Sequence, residues 1–171
     1  MKAMLLRRIA PIESTPLALV DLPIPEPAPG EVRIRVRCCA VCRTDLHVIE
    51  GDLPQQKMPV IPGHQIVGMV DKLGPETRAE GGGRRAETRL QIGQRVGVAW
   101  LRHTCGRCAF CARGQENLCE SARFTGYHAD GGYAEYAVAP ADFVYELPES
   151  LPSPFGREAE KCLPSPFGCT F

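Results

Sequence analysis

The sequence predicts a mainly β fold, in the form of a small, partly open β-barrel with short helices. Glycine and proline together are abundant, at 17 and 16 of 171 residues, and this favours turns and short strands over long helices. Several short segments alternate apolar and polar side chains with a period of two, whereas helical periodicity is scarce. Many short strands between Gly/Pro turns are typical of small barrels.

Five segments carry the strand pattern. In residues 31–37, three aliphatic side chains alternate with three arginines, which predicts a strand with one buried face and an arginine face in water. Residues 65–73 form a second strand that ends at a Gly-Pro pair, and residues 93–98 give a turn followed by a strand. Residues 133–138 and 143–147 are two further short strands.

The connecting segments differ in character. Residues 21–30 contain four prolines and are expected to be an extended surface connection, while residues 38–58 combine loop and short helix. Residues 75–90 are polar and lack any period, so we interpret them as an inserted flexible loop. The Gly-rich sequence at 81–86 formally matches G-x-G-x-x-A, but no buried strand precedes it and no helix follows, so it is rejected as a dinucleotide site.

We therefore assign residues 1–150 to one domain. Residues 151–171 repeat the sequence Leu-Pro-Ser-Pro-Phe-Gly and are interpreted as a non-homologous tail with no assigned fold.

Charge and cysteine content exclude several classes of protein. Lys plus Arg and Asp plus Glu are both 20, and this zero net charge argues against a nucleic-acid or anionic-membrane binder. No apolar run approaches the roughly 20 residues of a membrane span, and the N-terminus lacks a signal-peptide pattern, so we expect a cytoplasmic protein. Nine cysteines in a reducing compartment indicate metal ligation rather than disulfides.

Four cysteines have the spacing of a closed metal site, C-x2-C-x2-C-x7-C. They are Cys105, Cys108, Cys111 and Cys119, within an irregular lobe at 102–121. Four thiolates complete a tetrahedral site with no open position, which is typical of structural zinc. An iron–sulfur cluster is the alternative, because the first two gaps match the bacterial ferredoxin run. The third gap is seven residues instead of three, however, and Glu120 stands where that run has proline.

Cys42 and His64 form the core of a second constellation. One cysteine and one histidine 22 residues apart are weak evidence, and a buried thiol with an incidental histidine is the alternative. Several motifs surround them in order: Val-Cys-Arg-Thr-Asp-Leu-His at 41–47, Pro-Gly-His at 62–64, Gly-Gln-Arg-Val-Gly-Val at 93–98 and Gly-Gly-Tyr-Ala-Glu-Tyr at 131–136. Over about residues 29–147, these motifs and the four-Cys lobe resemble the N-terminal catalytic domain of the zinc-dependent medium-chain alcohol dehydrogenases.

The resemblance implies a GroES-like β-barrel and a set of residue roles. Cys42 and His64 resemble two of three ligands of a catalytic zinc, and Asp45 resembles the carboxylate that orients the histidine. Thr44 and His47 resemble the inner and outer members of a proton relay, and Arg43 resembles the residue that contacts the cofactor pyrophosphate. The four-Cys lobe corresponds to the structural zinc site. Zinc would lower the pKa of a bound alcohol, and hydride would pass to NAD or NADP.

Three features depart from the family pattern. Gln65 follows His64 where the family has glutamate, and a neutral amide cannot act as an anionic ligand. Cys162 lies near the distance expected of the third catalytic ligand, but its neighbours do not resemble that segment. Only 21 residues follow Ser150, fewer than one βαβ unit of roughly 30, so we expect the Rossmann domain to be missing.

The function expected is therefore the N-terminal part of a zinc-dependent alcohol dehydrogenase that acts on a small alcohol or aldehyde and is inactive alone. Binding of NAD or NADP would require the missing domain. The alternatives are a non-enzymatic zinc-binding module and an iron–sulfur electron carrier. Barrel strands left without a partner domain would promote self-association into a homo-oligomer.

Overall fold

A computed structural model describes residues 1–54, 57–75 and 90–148 of the chain. Within these ranges nine strands and two short α-helices confirm the mainly β prediction. The helices of the described ranges have at most eight residues, too few to span a lipid bilayer. Most of the predicted inserted loop, at 76–89, and the repetitive tail at 151–171 lie outside the described residues.

The elements follow one another closely along the chain. The strands are β1 (Lys2–Leu6), β2 (Leu17–Asp21), β3 (Glu31–Ala40), β4 (Gln65–Leu73), β5 (Arg95–Val98), β6 (Leu101–His103), β7 (Arg123–Phe124), β8 (Tyr136–Pro140) and β9 (Val144–Glu146). The α-helices are α1 (Arg43–Glu50) and α2 (Ala109–Ala112), and single 3-10 turns occur at Ile12–Ser14, Glu116–Leu118 and Ala141–Phe143. Helix α1 is the short helix expected within residues 38–58. The prediction was wrong for residues 38–40, which belong to β3 because their pairing with β4 continues beyond a register shift between Val36 and Cys38.

A five-stranded antiparallel sheet forms the centre of the fold. Its strand order is β8-β3-β4-β5-β9, and it curls into a half-barrel. Two separate two-stranded antiparallel sheets accompany it, the N-terminal hairpin β1-β2 and the pair β6-β7. The prediction of a partly open barrel is therefore confirmed.

Strand β3 supplies much of the core through its alternating side chains. Val32, Ile34 and Val36 are buried, as the period of two predicts, and they pack with aliphatic residues of β4, β5, β8 and β9. Full burial of each such side chain stabilises the fold by about 1.5–3 kcal/mol. On the opposite face Arg35 and Arg37 are exposed, as predicted.

Arg33 contradicts the prediction of an arginine face in water, since its side chain is only 15% exposed. Its Nε lies 2.6 Å from Asp71 Oδ2 on β4, and its Nη1 lies 3.0 Å from Glu26 Oε1. The guanidinium also lies 5.6 Å from the centre of the Tyr136 ring on β8. The solvated interpretation is wrong here because the neighbouring strands β4 and β8 bring a carboxylate and an aromatic ring against the arginine.

The N-terminal hairpin β1-β2 was not predicted from the sequence. Leu6 is fully buried and exchanges two backbone hydrogen bonds with Val60, at 2.9 and 3.0 Å. Both residues pack with Val48 and Ile49 of α1. The hairpin thus fixes helix α1 against the segment that leads to His64.

Candidate metal centres

The N-terminus of helix α1 holds Cys42 in a fixed orientation. Cys42 is the N-cap residue, and its Sγ accepts a hydrogen bond from the Thr44 amide at 3.3 Å. The Asp45 carboxylate accepts in return from the Cys42 amide at 2.9 Å. This reciprocal arrangement is a capping box in which a sulfur replaces the usual hydroxyl oxygen. The backbone amides of Thr44 and Cys42, which have no acceptor within the helix, are thereby hydrogen-bonded, and the sulfur is fixed at the helix end.

His64 reaches the same place from the opposite segment through a glycine. Gly63 has φ of +92°, a conformation that residues with a Cβ rarely adopt. A Cβ at Gly63 would lie 2.6 Å from Cδ1 of Tyr133 and 2.9 Å from Sγ of Cys39. Only glycine therefore fits here, and the turn directs the His64 ring towards helix α1.

Cys42, Asp45 and His64 form a compact group of three side chains. His64 Nε2 lies 3.2 Å from Cys42 Sγ, and His64 Nδ1 lies 3.2 Å from Asp45 Oδ1. Zinc bonds of about 2.3 Å to sulfur and 2.0–2.1 Å to nitrogen, at tetrahedral angles, separate the two ligand atoms by roughly 3.5 Å. The observed separation is within a few tenths of an ångström of this value, so the pair fits a zinc ion.

The electrostatics of the group are set by mutual hydrogen bonding. Burial favours the neutral form of Asp45, but hydrogen bonds from His64 and the Cys42 amide outweigh it and hold the pKa of the carboxyl below its usual value. Burial likewise opposes charging of His64, yet Asp45 raises the pKa of the imidazole. Slight burial opposes ionisation of Cys42, and hydrogen bonds from the Thr44 hydroxyl and amide lower the pKa of its thiol. A proton held on Nδ1 by Asp45 leaves the Nε2 lone pair free for a metal.

The other residues predicted for this site are distributed along the first turns of α1. Thr44 lies at the Cys42 sulfur, as its hydrogen bonds show. His47 lies about one turn further on, with Nδ1 2.7 Å from Oδ2 of Asp52. Arg43 is exposed at the first residue of the helix. The structure thus brings Cys42, Thr44, Asp45 and His64 together and places His47 and Arg43 at the periphery.

An aromatic wall beside His64 was missed by sequence reasoning. The Trp100 ring meets the His64 ring edge-on, with centroids 4.9 Å apart. Trp100 also stacks on Phe124 at 4.7 Å, so the indole is held from both sides. The sequence offered one signal for it, since the single tryptophan of the chain stands two residues after the predicted strand at 93–98. The wall shields one side of the histidine from water.

The four-Cys lobe lies between β6 and β7. Its four sulfur atoms lie within 4.8 Å of one another, and Cys111 and Cys119 are buried. Backbone amides point at the sulfurs: Cys105 donates to Cys119 at 3.3 Å, and Cys108 donates to Cys105 at 3.4 Å. Hydrogen bonds from the amides of Arg107 and Cys108 lower the pKa of Cys105 to about 6. Amides directed at clustered thiolates are suited to a metal bound by four sulfurs.

A further ligand for the Cys42 group is not found within residues 1–54, 57–75 and 90–148. In these ranges the group contains no His, Cys, Asp or Glu beyond its three members. Gln65 is exposed at the first residue of β4. Cys162 lies outside the described residues.

Comparison with known sequences identifies related proteins for most of the chain. The sequence model of the alcohol dehydrogenase GroES-like domain matches residues 28–149. The "Probable alcohol dehydrogenase AdhA" of Mycobacterium tuberculosis is 51% identical over 86% of this chain and 41% of its own length. An alcohol dehydrogenase of Geobacillus stearothermophilus is 44% identical over 80% of this chain and 38% of its own length. The chain thus spans about two fifths of the length of these curated relatives.

Solved structures show the same architecture. A thermostable alcohol dehydrogenase from Pyrobaculum aerophilum, bound to cobalt and zinc, has a TM-score of 0.74 and 33% identity. The similarity covers 88% of this chain and 42% of that one. An alcohol dehydrogenase (rspB) from Escherichia coli CFT073, complexed with NADH, has a TM-score of 0.70 and 33% identity over 88% of this chain and 39% of its own. The GroES-like architecture expected from the sequence is therefore confirmed.

Proposed function

The chain belongs to the alcohol dehydrogenase family through its GroES-like domain, and from this premise we propose that it is the zinc-holding catalytic part of such an enzyme. Its substrate is a small alcohol or aldehyde, and its redox partner is NAD or NADP. The proposal assigns the nicotinamide cofactor to a further domain, so the 171-residue chain by itself has little or no dehydrogenase activity.

The observation that carries this proposal is the geometry of Cys42, Asp45 and His64. A buried imidazole has one nitrogen on a carboxylate and the other 3.2 Å from a thiol whose pKa is lowered. Structural zinc sites are normally closed by four protein ligands, whereas catalytic sites keep a position open. Two protein ligands with an orienting carboxylate favour the open kind of site.

Each residue has a role in the proposed reaction. Zinc, when bound, supplies a Lewis acid that polarises the alcohol oxygen. Cys42 and His64 hold the zinc. Asp45 retains the proton on His64 Nδ1, so that Nε2 faces the metal. The Thr44 hydroxyl, beside the sulfur, accepts the alcohol proton as it releases its own, and His47 passes the released proton to solvent. Trp100 excludes water from one side, and Arg43, exposed at the helix end, contacts the cofactor pyrophosphate.

The four-Cys lobe holds a second zinc with a structural role. Four clustered sulfurs fill all positions of a tetrahedral ion. The ion ties α2 and the 3-10 turn at Glu116–Leu118 to strands β6 and β7. We prefer zinc to an iron–sulfur cluster because one structural relative is described as bound to cobalt and zinc.

A cobalt-substituted chain provides the test, because cobalt(II) reports its ligands through visible absorption bands. We expect addition of trifluoroethanol, a small alcohol, to shift these bands in the wild-type chain. The shift should vanish in His64→Gln, in which the four-Cys lobe still binds cobalt. Equal spectra for the two proteins with and without the alcohol would contradict an open, alcohol-binding metal position.

A non-enzymatic zinc-binding module is the second candidate. It is favoured by the neutral Gln65 beside His64 and by the absence, in the described ranges, of a further ligand near Cys42. If the chain is such a module, it binds metal only in the four-Cys lobe. Trifluoroethanol then changes the cobalt spectrum of neither the wild type nor His64→Gln.

A further inference from the structure

A buried hydroxyl without a hydrogen-bond partner lies next to the Cys42 group. The Oη atom of Tyr133 is buried, and no acceptor among the described residues meets hydrogen-bond geometry with it. A buried hydroxyl in this state has lost its hydrogen bonds to water without replacing them, which is unfavourable. Most such groups in native proteins have a partner, so this one calls for an explanation.

The Tyr133 ring is fixed over the segment that carries His64. Its backbone amide donates to Pro62 at 3.0 Å, and its carbonyl accepts from Met4 at 2.8 Å. The ring edge covers Gly63, where an added Cβ would lie 2.6 Å from Cδ1 of the tyrosine. The phenol therefore has little freedom to turn towards solvent.

The Asp45 carboxylate has unused capacity to accept hydrogen bonds. It is 2% exposed and accepts from the Cys42 amide through Oδ2 and from His64 Nδ1 through Oδ1. An ionised carboxylate offers about four acceptor positions, so about two remain open. The two side chains meet at the Gly63–His64 segment, since the Tyr133 ring edge covers Gly63 and Asp45 Oδ1 lies 3.2 Å from His64 Nδ1. Burial raises the pKa of the Tyr133 hydroxyl, and the negative charge of Asp45 raises it further, which agrees with this placement. The unpaired donor and the open acceptor thus belong to neighbouring side chains.

We propose that Tyr133 is a positioning residue whose hydroxyl donates to the Asp45 carboxylate and thereby fixes His64 as a metal ligand. The hydroxyl satisfies a third acceptor position, so the carboxylate is held from three sides: by the helix cap, by the imidazole and by the phenol. The His64 ring then has one orientation, with Nε2 towards Cys42. This inference rests on the proposed function only in assigning a metal to Cys42 and His64.

The test uses Tyr133→Phe, which keeps the ring over Gly63 and removes only the hydroxyl. The zinc affinity of the Cys42–His64 site is measured by chelator competition on chains whose four-Cys lobe already holds zinc. We expect affinity to fall about threefold to tenfold, less than the 10- to 100-fold typical of direct partners of a ligand. Tyr136→Phe, on the neighbouring strand, is the matched control and should leave affinity unchanged.

A double-mutant cycle with Asp45→Asn separates positioning from packing. We expect Tyr133→Phe to have no further effect on zinc affinity once Asp45 is replaced. The same cycle can be measured as the free energy of unfolding in urea, with zinc bound only in the four-Cys lobe. It should also show coupling between the two substitutions. Unchanged zinc affinity in Tyr133→Phe, or an equal loss with and without Asp45, would overturn the proposal.

Zinc affinity and urea unfolding distinguish failure of the proposed catalytic zinc site from failure of the proposed contact between Tyr133 and Asp45. If the chain holds zinc only in the lobe, the proposed catalytic site fails, and the unfolding cycle alone decides the hydroxyl contact. Coupling in that cycle supports the contact between Tyr133 and Asp45. Additive effects, with Tyr133→Phe neutral or stabilising, overturn it, because an unpaired buried hydroxyl is then simply removed.

Discussion

Substitution of Gly63 by alanine tests the packing that directs His64 towards helix α1. Two costs combine at this position. A residue with a Cβ in a left-handed conformation costs about 1–2 kcal/mol, and φ here is +92°. The new Cβ would also lie 2.6 Å from the Tyr133 ring and 2.9 Å from Cys39 Sγ, and overpacking of this kind typically costs about 1–3 kcal/mol. We expect a loss of about 2–5 kcal/mol in the free energy of unfolding.

Gly93→Ala is the matched control for this substitution. Gly93 has a similar φ of +86°, but no atom lies within 4 Å of an added Cβ. It should therefore show only the conformational cost of about 1–2 kcal/mol. The change in unfolded-chain entropy, about 0.4–1 kcal/mol for Gly→Ala, is common to both variants and cancels in the comparison.

Urea unfolding of the zinc-loaded proteins, followed by tryptophan fluorescence, measures the difference directly. Trp100 is the single tryptophan and contacts His64, so its emission reports this part of the fold. We expect Gly63→Ala to be less stable than Gly93→Ala by about 1–3 kcal/mol. Equal stability of the two variants would refute the argument that crowding at Gly63 requires glycine.

Three further outcomes follow from the structure. Asp45→Asn should weaken zinc binding at Cys42 and His64 by about 10- to 100-fold while the four-Cys lobe keeps its ion, which chelator competition would detect; unchanged affinity would remove Asp45 from its orienting role. Removal of the lobe zinc with a strong chelator should expose residues 104–122 to proteolysis before the sheet, as read by mass spectrometry, and uniform digestion would contradict a local structural ion. Arg33→Met and Asp71→Asn should show coupling of about 1 kcal/mol or more in a stability cycle, because the arginine side chain is only 15% exposed; additive effects would contradict a covered ion pair.

The alternation of residues 31–37 was sufficient to predict the first seven residues of β3, because one face of this part of the strand is buried. The strand continues to Ala40 beyond a register shift between Val36 and Cys38, where the alternation ends, so its last three residues were not predicted. The hairpin β1-β2 escaped prediction because its two five-residue strands, Lys2–Leu6 and Leu17–Asp21, do not alternate cleanly. Their burial depends on contacts with Val60 and helix α1, which no local pattern records. Arg33 was misassigned for the same reason, since Asp71 comes from another strand.

The candidate site shows the same division between local and long-range information. The Cys-x-x-Asp spacing at 42–45 contains the capping box, which local reasoning can recognise once cysteine is accepted as a cap. The contacts of Trp100 and Tyr133 with the His64 segment depend on chain reversals that bring distant residues together. The roles of Thr44, His47 and Arg43 remain predictions that rest on the resemblance of their motif.

The most direct test of the central claim is the zinc content per chain of freshly purified protein, compared among the wild type, His64→Gln and Cys108→Ser. We predict two zinc ions in the wild type and one in each variant, with the ion lost from a different site in each. One zinc in both the wild type and His64→Gln would contradict a second metal site at Cys42 and His64. Iron in place of zinc would contradict the assignment of the four-Cys lobe as well.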